Sequence, residues 1–112
     1  MLDKVFKLKV YSENKKLAAE ILRSHDGYQR FYIYEGEPIS SLAELTRSLE
    51  KLDPAKFLYH ANQEKNDFSL WVRAVLGDSK LADILLKAKN QKQAVELCKK
   101  RLSELLDIVK NN

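Results

Sequence analysis

DPAKFLYHANQEKNDFSLWVRAVLGDSKLADILL, residues 53–86, is punctuated as three short helices in succession. Asp53 supplies an N-cap and Pro54 occupies a first helical position, where its missing N–H costs nothing. Phe57, Leu58 and Ala61 are expected to face inward from that helix. The polar run Asn62-Gln63-Glu64-Lys65-Asn66 reads as a loop, closed by Asp67 as the N-cap of a helix with Phe68, Trp71, Val72 and Val75 on one face. Gly77 suits the end of that segment. Asp78 or Ser79 then starts another, carrying Leu81, Ile84 and Leu85.

Outward from this stretch the helical pattern continues in both directions. Downstream, Asn90 opens the longest helix, in which Val95, Cys98, Leu102, Leu105 and Val109 alternate spacings of three and four. Upstream, Ser41-Leu42-Ala43-Glu44 reads as a capping box. The Ser41 hydroxyl accepts from the Glu44 amide, while the Glu44 side chain reaches back to the Ser41 amide. Leu42, Leu45 and Leu49 form the buried stripe of that helix.

The pattern changes toward the N-terminus. YQRFYIY, residues 28–34, is rich in aromatic and β-branched residues and ends at Glu35-Gly36-Glu37-Pro38, which marks a strand with Phe31 and Ile33 inward and Tyr32 and Tyr34 outward. VFKLKVY, residues 5–11, alternates with period two and reads as a second strand. Between them, Leu17, Ala18, Ile21 and Leu22 have helical spacing and lead toward a stop near Gly27. The expected fold class is α+β, predominantly helical, with a small sheet of about two strands near the N-terminus. A strand–helix–strand unit over 4–36, compatible with a right-handed parallel pairing that the sequence does not fix, precedes a helical layer over 40–110, in one domain spanning 1–112.

Composition narrows the classes of function. A length of 112 residues supports one core, and 45% hydrophobic residues with 3 Gly and 2 Pro suit a globular chain. No run approaches the roughly 20 apolar residues of a membrane span, and the charged opening Met1-Leu2-Asp3-Lys4 is unlike a signal peptide. A cytoplasmic protein is therefore expected. The single cysteine, Cys98, lies among apolar helical positions and is expected to behave as a small hydrophobe. The net charge of +4 is uneven: residues 1–79 carry 12 basic and 12 acidic side chains, and residues 80–112 carry 8 and 4. The basic excess thus lies in the C-terminal third.

The ordered string Phe57-x-x-His60, Asn66-Asp67-Phe68-x-x-Trp71-Val72-Arg73-x-Val75-x-Gly77-Asp78-x-x-Leu81-Ala82 resembles an uncharacterised, mainly archaeal domain family of unknown function. The resemblance extends upstream through Leu42-x-x-Leu45, the Gly36-Glu37-Pro38 turn and Phe31-Tyr32-Ile33-Tyr34. One departure is Ala74, where the family carries an acidic residue. The resemblance implies a domain type and a prokaryotic origin, and brings no substrate or catalytic residue with it.

Two groups of side chains are candidates for function. His60, Asn66, Asp67, Trp71 and Arg73 form a candidate binding surface, although a cap, a turn and ring packing account for the first four structurally. Lys92, Lys99, Lys100 and Lys110 form a candidate basic surface on the C-terminal helix, interrupted by Glu96 and Asp107. The apolar stripe of that helix is suited to its own core, to a partner helix or to a second copy of the chain. No catalytic residues, metal ligands or cofactor site are expected. Two histidines 35 positions apart (60 minus 25) and one cysteine lack metal-site spacing, and Gly27, Gly36 and Gly77 are isolated rather than forming a phosphate loop. The expected role is a small non-enzymatic interaction module, binding a protein partner or itself. The alternative is association with nucleic acid through the basic C-terminal third, and neither membrane nor metal is an expected partner.

Overall fold

No Gly or Pro separates Lys4 from Leu22. One helix, α1 (Lys4–Leu22), runs through that stretch in the computed structural model, which describes residues 4–111 and side chains from Glu13 onward. The strand expected over Val5–Tyr11 is thereby corrected. With no breaker at Tyr11-Ser12, the helix over Leu17–Leu22 propagates backward at the low cost of elongation, and it lies along the C-terminal helix. The expected facing of Val5, Lys7 and Lys9 falls outside the described side chains. The helix also stops at Leu22, short of Gly27, which opens a single 3-10 turn, Gly27–Gln29.

The sheet is a hairpin rather than a parallel unit. β1 (Phe31–Tyr32) pairs antiparallel with β2 (Pro38–Ile39), Phe31 opposite Ile39 and Tyr32 opposite Pro38. The breaker run after Tyr34 is therefore the turn of a hairpin. The Gly36 N–H donates to the Ile33 carbonyl at 3.0 Å, and a Cβ on Gly36 would lie 2.8 Å from Ile33 Cγ2, so a side chain there collides with its own turn. Alternation holds as read, with Phe31 and Ile33 buried and Tyr32 and Tyr34 exposed.

Helices make up most of the rest: α2 (Leu42–Lys51), α3 (Pro54–His60), α4 (Asp67–Trp71), a π-helical turn (Val72–Leu76), α5 (Ser79–Leu85) and α6 (Gln91–Lys110). Caps set most of their starts. Ser41 Oγ accepts from the Glu44 amide at 3.2 Å, and Asp53 Oδ1 from the Ala55 amide at 2.8 Å. The Glu44 carboxylate reaches one residue further back than a capping box requires, accepting from the Ser40 N–H at 3.0 Å. At α4 the cap is Asn66, whose Oδ1 accepts from the Ser69 amide at 3.0 Å, and Asp67 is the first helical residue rather than the cap.

The π turn changes which side chain enters the core. Regular helical spacing after Phe68, Trp71 and Val72 points Val75 inward, but the extra residue in the widened turn carries Leu76 into that place and leaves Val75 half-buried. Gly77, at φ +76°, closes the turn in the left-handed conformation that glycine adopts without strain. Leu58 also departs from its expected place. Phe57, His60 and Ala61 fill the inward face of α3, so Leu58 turns to solvent.

The core joins α2, the hairpin, α4, α5 and α6, with Leu42, Leu45, Leu49, Phe68, Val72, Leu81 and Cys98 at its centre. Burying each large apolar side chain contributes about 1.5–3 kcal/mol. One charge lies inside it. Asp78 caps α5 through the Leu81 amide at 3.1 Å and binds Arg101 of α6 bidentately, Nε to Oδ2 at 2.7 Å and Nη2 to Oδ1 at 3.2 Å. Arg101 also donates to Glu104 at 3.2 Å. Desolvation pulls the Arg101 pKa down, but these two carboxylates raise it above its ordinary value, so the guanidinium stays charged.

Candidate functional site

A concavity lies where the loop 61–66 faces the linker 86–90. Each wall is held by short-range bonds that follow from its polar residues. On the loop side, the Asn62 amide donates to the Lys65 carbonyl at 2.9 Å, and Asn62 Oδ1 accepts from the Glu64 amide at 2.9 Å. Ala61 and Asn66 close the loop as an antiparallel bridge. On the linker side, Asn90 caps α6 by accepting from the Gln93 amide at 2.8 Å, and Gln93 Oε1 accepts from the Lys89 N–H at 2.7 Å.

Two amides tie these walls to the body of the protein. Asn66 Nδ2 donates to the Leu85 carbonyl at 3.2 Å, joining the loop to the end of α5. Gln91 Nε2 donates to the carbonyls of Leu49 and Leu52, both at 2.8 Å, joining the start of α6 to the end of α2. The result is a half-open cleft of about 680 Å³. Its floor is Leu49, Phe57, Phe68, Leu85 and Ala94, and at its lips stand Leu58 and Leu86, each 59% exposed.

Three charged side chains line the cleft, Lys89 from the linker and Glu64 and Lys65 from the loop. The linker carries Lys87 and Lys89, and Lys92 follows on the first turn of α6; none of the three has an ion-pair partner among the described residues. The facing loop carries Glu64 and Lys65. Lys65 is already engaged, with Nζ 3.0 Å from Asp67 Oδ2 and 4.8 Å from the Tyr59 ring centroid.

The residues singled out from sequence divide between this cleft and its supports. Asn66 lines it. His60 is only 4% exposed and is held at both nitrogens: Nε2 accepts from the Tyr34 N–H at 2.9 Å, which places the ring proton on Nδ1, 3.0 Å from Asp67 Oδ2. Its ring packs against Phe31, Tyr59 and Phe68. Asp67 is pushed up by burial and brought down further by hydrogen bonds from His60 and Lys65 and by the Lys65 charge, so its carboxyl titrates below the ordinary value. Trp71, 7% exposed, donates from Nε1 to the Gln29 carbonyl at 2.8 Å and fixes the turn before β1. Arg73 pairs with Asp83 on the surface. His60, Asp67 and Trp71 thus brace the hairpin and α3 from beneath, whereas Arg73 stands apart from them.

The basic candidates on α6 are spread rather than gathered. Lys92, Lys99, Lys100 and Lys110 are exposed, and Lys99 is paired with Glu50 at 2.8 Å. The apolar stripe of α6 is used internally, against α1 and α2. Burial pushes the Cys98 thiol up to about 12, so it carries no thiolate near neutrality. Among the described residues no cluster of His, Cys, Asp and Glu can hold a metal ion, and no helix is long and apolar enough to cross a membrane.

Sequence reading missed the cleft because it is made by two segments that are unremarkable separately. Leu86 carries the one available signal, a large apolar residue just past the Leu81, Ile84 and Leu85 stripe, whereas Leu58 reads in the sequence as part of an inward face. Comparison with known protein families, with curated proteins and with solved structures finds no match to this chain.

Proposed function

We propose that this chain is a non-enzymatic interaction module that receives a segment of another polypeptide in the cleft between loop 61–66 and linker 86–90. The observation that carries this reading is the pair of exposed leucines, Leu58 and Leu86, standing over a floor of buried aromatic and aliphatic side chains. Apolar surface of this kind, rimmed by polar groups, stabilises a complex when a partner's side chains displace water from it. The walls are already held by Asn66 and Gln91, so little ordering cost falls on binding.

The non-enzymatic part of the reading draws on the groups best suited to chemistry. Both His60 nitrogens are occupied by the fold, and the Cys98 thiol is buried within the core. A general base or nucleophile needs a free atom at an open site.

A displayed library of random peptides tests the reading. Peptides with shared apolar positions are expected to be enriched on the wild-type chain and lost on Leu86→Asp, an exposed substitution that leaves the thermal unfolding curve in place. Absence of enrichment, or equal enrichment on Leu86→Asp, contradicts it.

A further inference from the structure

A backbone N–H can only donate. The 2.9 Å contact from the Tyr34 N–H therefore makes His60 Nε2 a bare acceptor and leaves the single ring proton on Nδ1, facing Asp67 Oδ2 at 3.0 Å. A second proton on this ring goes to Nε2, where it meets another donor. The imidazolium keeps its carboxylate partner on one side and loses its hairpin partner on the other. The ring has little room to turn away from that conflict, because it is buried and packed against Phe31, Tyr59 and Phe68.

We propose that His60 is a proton-operated latch between the hairpin and α3, closed while Nε2 is bare and opened at Tyr34 when the ring takes its second proton. The latch stands independently of the cleft and its occupant. What it holds together is the exposed aromatic pair, Tyr34 stacked on Tyr59 with ring centroids 4.4 Å apart, one ring from the hairpin and one from α3. Tyr34 can swing without undoing the hairpin. The strand pairs Phe31 with Ile39 and Tyr32 with Pro38, and the Gly36 N–H to Ile33 carbonyl bond, make no use of the Tyr34 N–H. Lys56 Nζ, bonded to the Glu35 carbonyl at 2.8 Å, keeps the turn beside α3.

Each element packed on the ring brings its own charges. α4 supplies Asp67, and the loop supplies Lys65, 3.0 Å from the same carboxylate oxygen. α3 supplies the Tyr59 phenol beside the ring and Lys56 four positions earlier, and the hairpin supplies Tyr34 and, next in sequence, Glu35. The Asp67 carboxyl titrates below its ordinary value, so the counter-charge is in place wherever a histidine titrates. The Tyr34 bond is complete at high pH and is lost as pH falls through the titration of His60.

NMR of the isotope-labelled full chain, titrated from about pH 8 to about pH 4, reads both ends of the latch. Nuclear Overhauser contacts to Phe31 and Phe68 separate the His60 ring from that of His25, the other histidine. The Tyr34 amide proton is expected to move upfield with the same midpoint as the His60 ring nitrogens, and the Overhauser contacts between the Tyr34 and Tyr59 rings to fade with it. The Phe31 and Ile39 amides are expected to hold their shifts. In Asp67→Asn, which removes the counter-charge, both midpoints are expected to fall to lower pH together. A Tyr34 amide that stays in place while His60 titrates overturns the latch, as does a Tyr34–Tyr59 contact that persists. So does a ring that takes no second proton before the whole spectrum collapses, or a collapse of all amides at the His60 midpoint. Midpoints that separate in Asp67→Asn also overturn it.

Discussion

Asp67 shows how one side chain can suggest a site and serve the fold. In the sequence His60, Asn66 and Asp67, close to one loop, read as part of a candidate binding surface. In the structure the carboxylate accepts from His60 and from Lys65, and His60 in turn accepts from the Tyr34 backbone. Because the folded pKa of Asp67 lies below its unfolded value, its contribution is fully present above the unfolded value, about 3.9, and is lost as pH falls through the folded one. Urea unfolding of Asp67→Asn from about pH 6 down to about pH 2 is therefore expected to show a shallower acid loss than wild type. Parallel acid limbs for the two proteins contradict that role. The residue types were legible in the sequence. Their pairing was not, because Tyr34 and His60 are 26 positions apart and meet only through the hairpin.

At the scale of elements, legibility followed punctuation. Helices opened by a polar cap were read well at their starts: α2, α3, α5 and α6 begin where Ser41, Asp53, Asp78 and Asn90 place them. Segments known only by period two fared worse. VFKLKVY alternates as a strand does, yet it belongs to α1 because nothing interrupts the chain between it and Leu22. The π turn was hidden for another reason: its widened backbone bonding leaves no mark in residue type, and it exchanges Val75 for Leu76 in the core. The hairpin turn carries its own test. Glu35 sits at φ +52°, in the left-handed region that a residue with a Cβ enters at a cost. Its carbonyl accepts from Lys56 Nζ at 2.8 Å, a bond to backbone that survives loss of the side chain. Glu35→Gly is expected to raise unfolding stability by about 0.5–1 kcal/mol in urea titration. A loss of stability would show that the Glu35 side chain does more than occupy the turn.

For the whole molecule, the fold class was legible as α+β and mainly helical, and the long apolar stripe of α6 proved to belong to the core. The cleft was not legible, since its walls come from residues 61–66 and 86–90 and meet only when α4 and α5 fold back on each other. That arrangement leaves one largely apolar cleft whose walls are tied to the body by Asn66 and Gln91. Tyr34 and Tyr59 form the main competing surface, stacked with ring centroids 4.4 Å apart and both exposed, and His60 packs edge-on to Tyr59 beneath them. Backbone amide shifts of the labelled chain, titrated with the selected peptide, separate the two faces directly. The account predicts that the perturbed amides cluster at Leu58, Asn62–Asn66 and Leu86–Gln91. A cluster centred on Tyr34 and Tyr59, or one running along the outer face of α6, would contradict it.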